Sequence, residues 1–195
     1  MWFYIKKAFI PFIYLIFMAI IAVAILCIKN LTWLKIILLI LNLALYGFIV
    51  GMIMFREGED AVKVRHANDL ERREMIRTGT VRPLKLKEEY KPYKGFIFGG
   101  IVLIPMILCL LIHTIILLCG GELKTFGAIS SIIYFAFYAF FGLGEGSATM
   151  TTYYGSLVGV PVILALCGIA YIMGAKKIIY QQNKIEEQQR QIYGR

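Results

Sequence analysis

Residues 8–28, AFIPFIYLIFMAIIAVAILCI, run for 21 positions without a charged side chain. At 1.5 Å per residue a helix of that length matches the roughly 30 Å hydrocarbon core of a bilayer. The pattern recurs, with residues 36–55, 95–118 and 155–174 forming further uncharged runs of 20, 24 and 20. A water-soluble chain carries about 25% charged residues, whereas here 17% are charged and 59% are hydrophobic. Mean hydropathy is +0.74. In lipid a backbone must satisfy its own hydrogen bonds, so repeated apolar runs of this length imply helices. The expectation is an all-α integral membrane protein. Disordered, collagen-like and disulfide-scaffold chains are excluded by composition.

The first run is too long for the apolar core of a signal peptide and another follows it at once, so it reads as a retained span. The link Lys29–Lys35 is short enough to force an antiparallel hairpin, which makes residues 1–55 an N-terminal transmembrane hairpin. Residues 56–94 form a charged loop with 11 basic and 8 acidic side chains. Within it, about Gly58 to Thr78 is rich in helix formers with charges of both signs on adjacent turns, which fits a solvated surface helix. Thr78-Gly79-Thr80 should end that helix, and Arg82-Pro83 should begin an extended return. Tyr90, Tyr93 and Lys94 then read as interface anchors, as do Lys176 and Lys177 beyond the last span, because these side chains favour the headgroup zone.

Residues 95–175 form a second transmembrane unit with spans 95–118 and 155–174. Between them lies an outer element, 119–154, whose aromatic stretch 126–144 is uncharged and 19 long. It either crosses, giving five spans, or is re-entrant or interfacial, giving four. Cytoplasmic segments collect Lys and Arg. Four spans with both termini inside put 18 of the 21 basic residues on one face, and five spans put only 13 there. The expected architecture is a four-helix transmembrane bundle with an aromatic re-entrant or interfacial element between spans three and four. Residues 176–195 follow as a cytoplasmic basic helical tail, good helix formers in which Ile178, Ile185 and Ile192 share a stripe.

The net charge of +9 is mostly membrane-flanking, so no nucleic-acid partner is expected. An Ile- and Lys-rich composition points to a bacterial plasma membrane.

Gly47 and Gly51, Gly95 and Gly99, and Gly155 and Gly159 are spaced four apart and allow close helix packing, within the chain or between copies. Pro11, Pro105 and Pro161 fall inside runs, where kinks at the latter two would open the bundle. Intramembrane polar groups are few: Asn42 in span two and His113 in span three. With Glu145, Thr151 and Thr152 of the outer element they are the candidates for a cavity or pore. The segment Thr149 to Gly155 resembles a potassium-channel filter over seven residues, but Tyr154 and Ser156 stand where that filter requires glycine.

Catalytic motifs are lacking. Two histidines, His66 and His113, cannot build an HExxH site, and no nucleophile elbow or phosphate loop occurs. No cofactor or metal is implied. Cys27, Cys109, Cys119 and Cys167 show no ligand spacing and read as small apolar residues, with an outer Cys27–Cys119 disulfide as the minor alternative. The sequence therefore predicts a non-catalytic subunit or accessory protein of a membrane complex. A homo-oligomeric channel or small-solute transporter is the alternative.

Overall fold

The computed structural model describes residues 2–28, 31–84, 89–120 and 157–193, and all regular structure among them is helical. Helix α1 spans Trp2–Leu26, α2 Thr32–Thr78, α3 Lys94–Leu118 and α4 Gly159–Tyr193. Three of these are long and apolar enough to cross a membrane: α1 through Ile5–Ala22, α2, and α4. Helix α3 has 25 residues and is apolar over Lys94–Leu108. The aromatic stretch 126–144, and with it Glu145, Thr151, Thr152 and Gly155, lies outside the described residues.

Two compact units divide the chain, the first formed by Met1–Val50 and Phe96–Leu166, the second by Gly51–Gly95 and Cys167–Arg195. In the first, α1 and α2 pair antiparallel. Ala22 and Ile25 pack with Leu39, flanked by Ile21 and Leu38. One turn further along the pair, Asn42 Nδ2 donates to the Met18 carbonyl oxygen at 2.9 Å. Buried positions recur three and four apart, as Leu15, Met18, Ala22 and Ile25 on α1 and Leu39, Asn42, Tyr46 and Val50 on α2. The opposite faces are equally apolar yet exposed, with Phe17 and Ile20 both at 56% and Phe48 at 67%. A helix greasy on both its packed and its open face is built for a hydrocarbon solvent.

The second unit holds the C-terminal part of α2, a return strap described over 79–84 and 89–93, and α4 from Cys167 onward. The expected surface helix at Gly58–Thr78 is no separate element. It continues α2 without a break, because no residue between Phe55 and Gly58 terminates a helix and the change from apolar to charged side chains leaves the backbone bonds unaffected. Helix α2 ends where Gly79 takes a left-handed conformation, φ 66°, the usual role of glycine past a helix C-terminus. Thr78 Oγ1 donates to the Glu74 carbonyl oxygen at 2.9 Å and lies 2.7 Å from Thr80 Oγ1.

The prolines sort differently from expectation. Pro11 and Pro105 lie within α1 and α3, but Pro161 falls in the first turn of α4. An amide there has no intrahelical acceptor, so Pro161 fits without kinking the helix.

Candidate functional site

The charged second unit is assembled around two glycines far apart in sequence. A Cβ added at Gly58 would collide with the Tyr171 carbonyl oxygen, and one added at Gly174 with the Phe55 carbonyl oxygen. The two helix backbones therefore touch directly, each glycine sitting on the other helix's carbonyl. Gly95 closes the third side, where a Cβ would lie 2.6 Å from Tyr171 Cβ. Tyr171 is 1% exposed and stacks on Tyr90 of the strap with ring centroids 5.6 Å apart at 18°. Beside the crossing, Lys177 Nζ donates to Glu59 Oε1 at 2.7 Å and lies 5.3 Å from the centre of the Phe55 ring.

Near its start the strap is tied to α2 where Arg82 N–H donates to Met75 Sδ at 3.3 Å, and near its end at two further levels. Tyr90 N–H donates to the Ala61 carbonyl oxygen at 3.1 Å. Glu89 Oε1 accepts from Asn68 Nδ2 at 2.8 Å and from Arg72 Nη2 at 2.6 Å, while Arg72 Nη1 also reaches Asp69 Oδ1 at 3.0 Å. Asn68 is 1% exposed, so its amide is bought out of water by a carboxylate 21 positions away.

Next to Tyr90 the three segments leave an open groove of about 250 Å³. Helix α2 supplies Val62, Arg65, His66 and Asp69, the strap Tyr90, and α4 Ile179 and Gln182. Burial pushes the Tyr90 phenol above its ordinary range, and the Arg65 charge opposes that shift. A second open hollow of about 240 Å³ lies at the end of α2 among Glu71, Glu74, Met75, Thr78, Thr80 and Arg82.

Of the residues singled out in the sequence, Tyr90, Gly95 and Lys177 gather at the glycine crossing, whereas the cavity candidates do not converge on one site among the described residues. Asn42 is 7% exposed, and its Oδ1 has no partner among the described residues. Asn42→Leu is expected to shift stability by less than about 1 kcal/mol, because losing one interhelical bond in lipid is offset by removing a buried unpaired oxygen. Thermal unfolding in detergent measures this; a loss of several kcal/mol would show that Oδ1 is engaged. His113 lies on α3, and its side chain is outside the described residues. Gly47 makes only ordinary contact, 4.0 Å to Leu166 Cδ2, and Gly51, Gly99 and Gly159 lie on α2, α3 and α4. Among the anchors, Tyr93 and Lys176 are exposed, with Lys91 Nζ 5.9 Å from the Tyr93 ring centre, and Lys94 is buried at the start of α3. Cys27 and Cys119 are exposed free thiols and Cys167 is a buried one.

Of the groove residues the sequence singles out only Tyr90, as an interface anchor; Arg65, His66 and Gln182 escaped it as binding residues because they are ordinary surface types on two helices with no shared spacing. Among the described residues no three His, Cys, Asp or Glu side chains come close enough to hold a metal ion. No known family model matches this sequence, and no curated protein or solved structure is significantly similar to it.

Proposed function

We propose that this chain is a four-span protein of a bacterial plasma membrane, with both termini cytoplasmic, acting as a non-catalytic subunit or accessory protein of a membrane complex. In this reading α3 is the fourth crossing: its 25 residues reach about 37 Å, more than the hydrocarbon thickness. Helix α2, with 47 residues, is about 70 Å long, so more than half of it lies outside the hydrocarbon. The charged part of α2, the strap and the tail then face the side that holds 18 of the 21 basic residues.

One observation carries the assignment to a partner-binding class. The end of α4 is exposed at every position from 183 to 192, with Ile185 at 54% and Ile192 at 69%. A short helix surrounded by water gains nothing from packing and is marginal alone. A stripe of isoleucines on such a helix is stabilised when another surface covers it. Purification of the tagged chain in mild detergent, with mass spectrometry of what accompanies it, tests this directly. A stoichiometric partner is expected, and removal of residues 184–195 should release it while the thermal unfolding of the remainder is unchanged. Retention of the partner by the truncated chain would rule out the tail as the docking element. A partner-free homo-oligomer would favour a channel or transporter.

A further inference from the structure

The groove beside Tyr90 gathers polar side chains from two helices that lack short partners among the described residues. Three ion pairs near it are short: Lys63 with Asp60 at 3.1 Å, Arg72 with Glu89 at 2.6 Å, Lys177 with Glu59 at 2.7 Å. Arg65 is different. Its one ion contact among the described residues is Nε to Asp69 Oδ2 at 3.9 Å, about 1 Å longer than a charge-assisted hydrogen bond. Asp69 is meanwhile satisfied by Arg72 at 3.0 Å. The planar end of the Arg65 guanidinium is thus left open, and the His66 ring and Gln182 amide beside it are also without a hydrogen-bond partner among the described residues.

We propose that this groove binds a phosphate group, with Arg65 as the bidentate donor and His66 and Gln182 completing the hydrogen bonds. A guanidinium fork matches two phosphate oxygens, and the neutral or protonated imidazole and the amide each add one donor. The volume of about 250 Å³ equals roughly eight waters at ~30 Å³ each, room for a phosphate with a small ester substituent. Val62 and Ile179 form the apolar wall against which such a substituent rests. Arg65 sits ten residues beyond Phe55 on α2, about 15 Å along the helix, and Ile179 five residues beyond Gly174 on α4, about 7.5 Å. Headgroups occupy roughly 5–7 Å beyond the hydrocarbon on each side. On this scale Ile179 lies at the outer edge of the headgroup zone and Arg65 well beyond it in water, so the phosphate is expected from a soluble ester, with a lipid headgroup as the source the test must separate from it.

The test uses the full chain purified in detergent and stripped of lipid, titrated with glycerol 3-phosphate, short-chain phosphatidylglycerol and short-chain diacylglycerol, with binding read by calorimetry and by thermal shift. Saturable binding of glycerol 3-phosphate supports the proposal with a soluble source. Binding of phosphatidylglycerol without glycerol 3-phosphate or diacylglycerol supports it with a lipid source. In either case Arg65→Gln is expected to weaken binding about tenfold or more, with His66→Gln showing a smaller loss. The exposed Arg73→Gln, elsewhere on α2, should bind as the unaltered chain does. Both groove side chains are exposed, so the ligand-free variants should unfold at the unaltered temperature. The proposal is overturned if neither phosphate-bearing probe binds, if diacylglycerol binds equally well, or if Arg65→Gln leaves affinity unchanged.

Discussion

Gly58→Ala and Gly174→Ala should each destabilise the protein by about 3 kcal/mol or more, the upper end of overpacking effects. A new methyl at either position meets a backbone carbonyl, of Tyr171 or of Phe55. A side chain could rotate away; a helix backbone cannot move without separating α2 from α4 along the crossing. The Lys177–Glu59 ion pair and the Tyr90–Tyr171 stack lie next to that crossing and would be strained with it. Gly100→Ala is the matched control, since nothing lies within 4 Å of the added methyl there. In a helix interior that change is favourable by up to about 1 kcal/mol. Melting curves in one detergent compare the three. Equal melting of Gly58→Ala and the unaltered chain would show that the helices do not meet at their backbones.

The second large effect is expected at Glu89. Its carboxylate accepts from Asn68 at 2.8 Å and from Arg72 at 2.6 Å. Glu89→Ala withdraws an acceptor from an almost fully buried amide, at a cost of about 1–3 kcal/mol. Much of that loss should appear as local opening, because the end of the strap is otherwise held to α2 by the Tyr90–Ala61 backbone bond at 3.1 Å. Limited chymotrypsin digestion reads this out at Tyr90 and Tyr93. Cleavage there should accelerate severalfold in Glu89→Ala and less in Glu89→Gln, whose amide oxygen still accepts. An unaltered cleavage rate would remove Glu89 from the account of strap docking.

What the sequence reveals follows the range of the interaction concerned. The lipid-facing runs are legible because each depends only on local composition, and α1, α2 and α4 duly emerge long and apolar enough to cross a membrane. The helical tail is legible for a similar reason, as nothing after Ala175 breaks a helix until its end. The continuity of α2 is harder to see, since a change of solvent at Phe55 looks like a boundary while the hydrogen bonds along the backbone ignore it. The glycine crossing is only partly visible to a search for glycines spaced four apart on one helix, which finds Gly95 with Gly99 but neither Gly58 nor Gly174. Gly58 and Gly174 each stand opposite a carbonyl of the other helix, and neither has a second glycine four residues away. Glu89 meeting Asn68, and Arg65 meeting Gln182 across a groove, likewise depend on how segments return to one another, which no local pattern encodes.

The glycine crossing also dictates an order of events during biogenesis. Gly58 leaves the ribosome more than a hundred residues before Gly174, an interval on the order of ten seconds at typical synthesis rates. Until α4 arrives, the groove-side face of α2 has no helix to rest on, and Tyr90 has no ring to stack against. Completion of this unit therefore reports that the last helix has been made and inserted. A nascent chain stalled before that point presents an open glycine notch and an unstacked Tyr90 to whatever proteases and chaperones meet it.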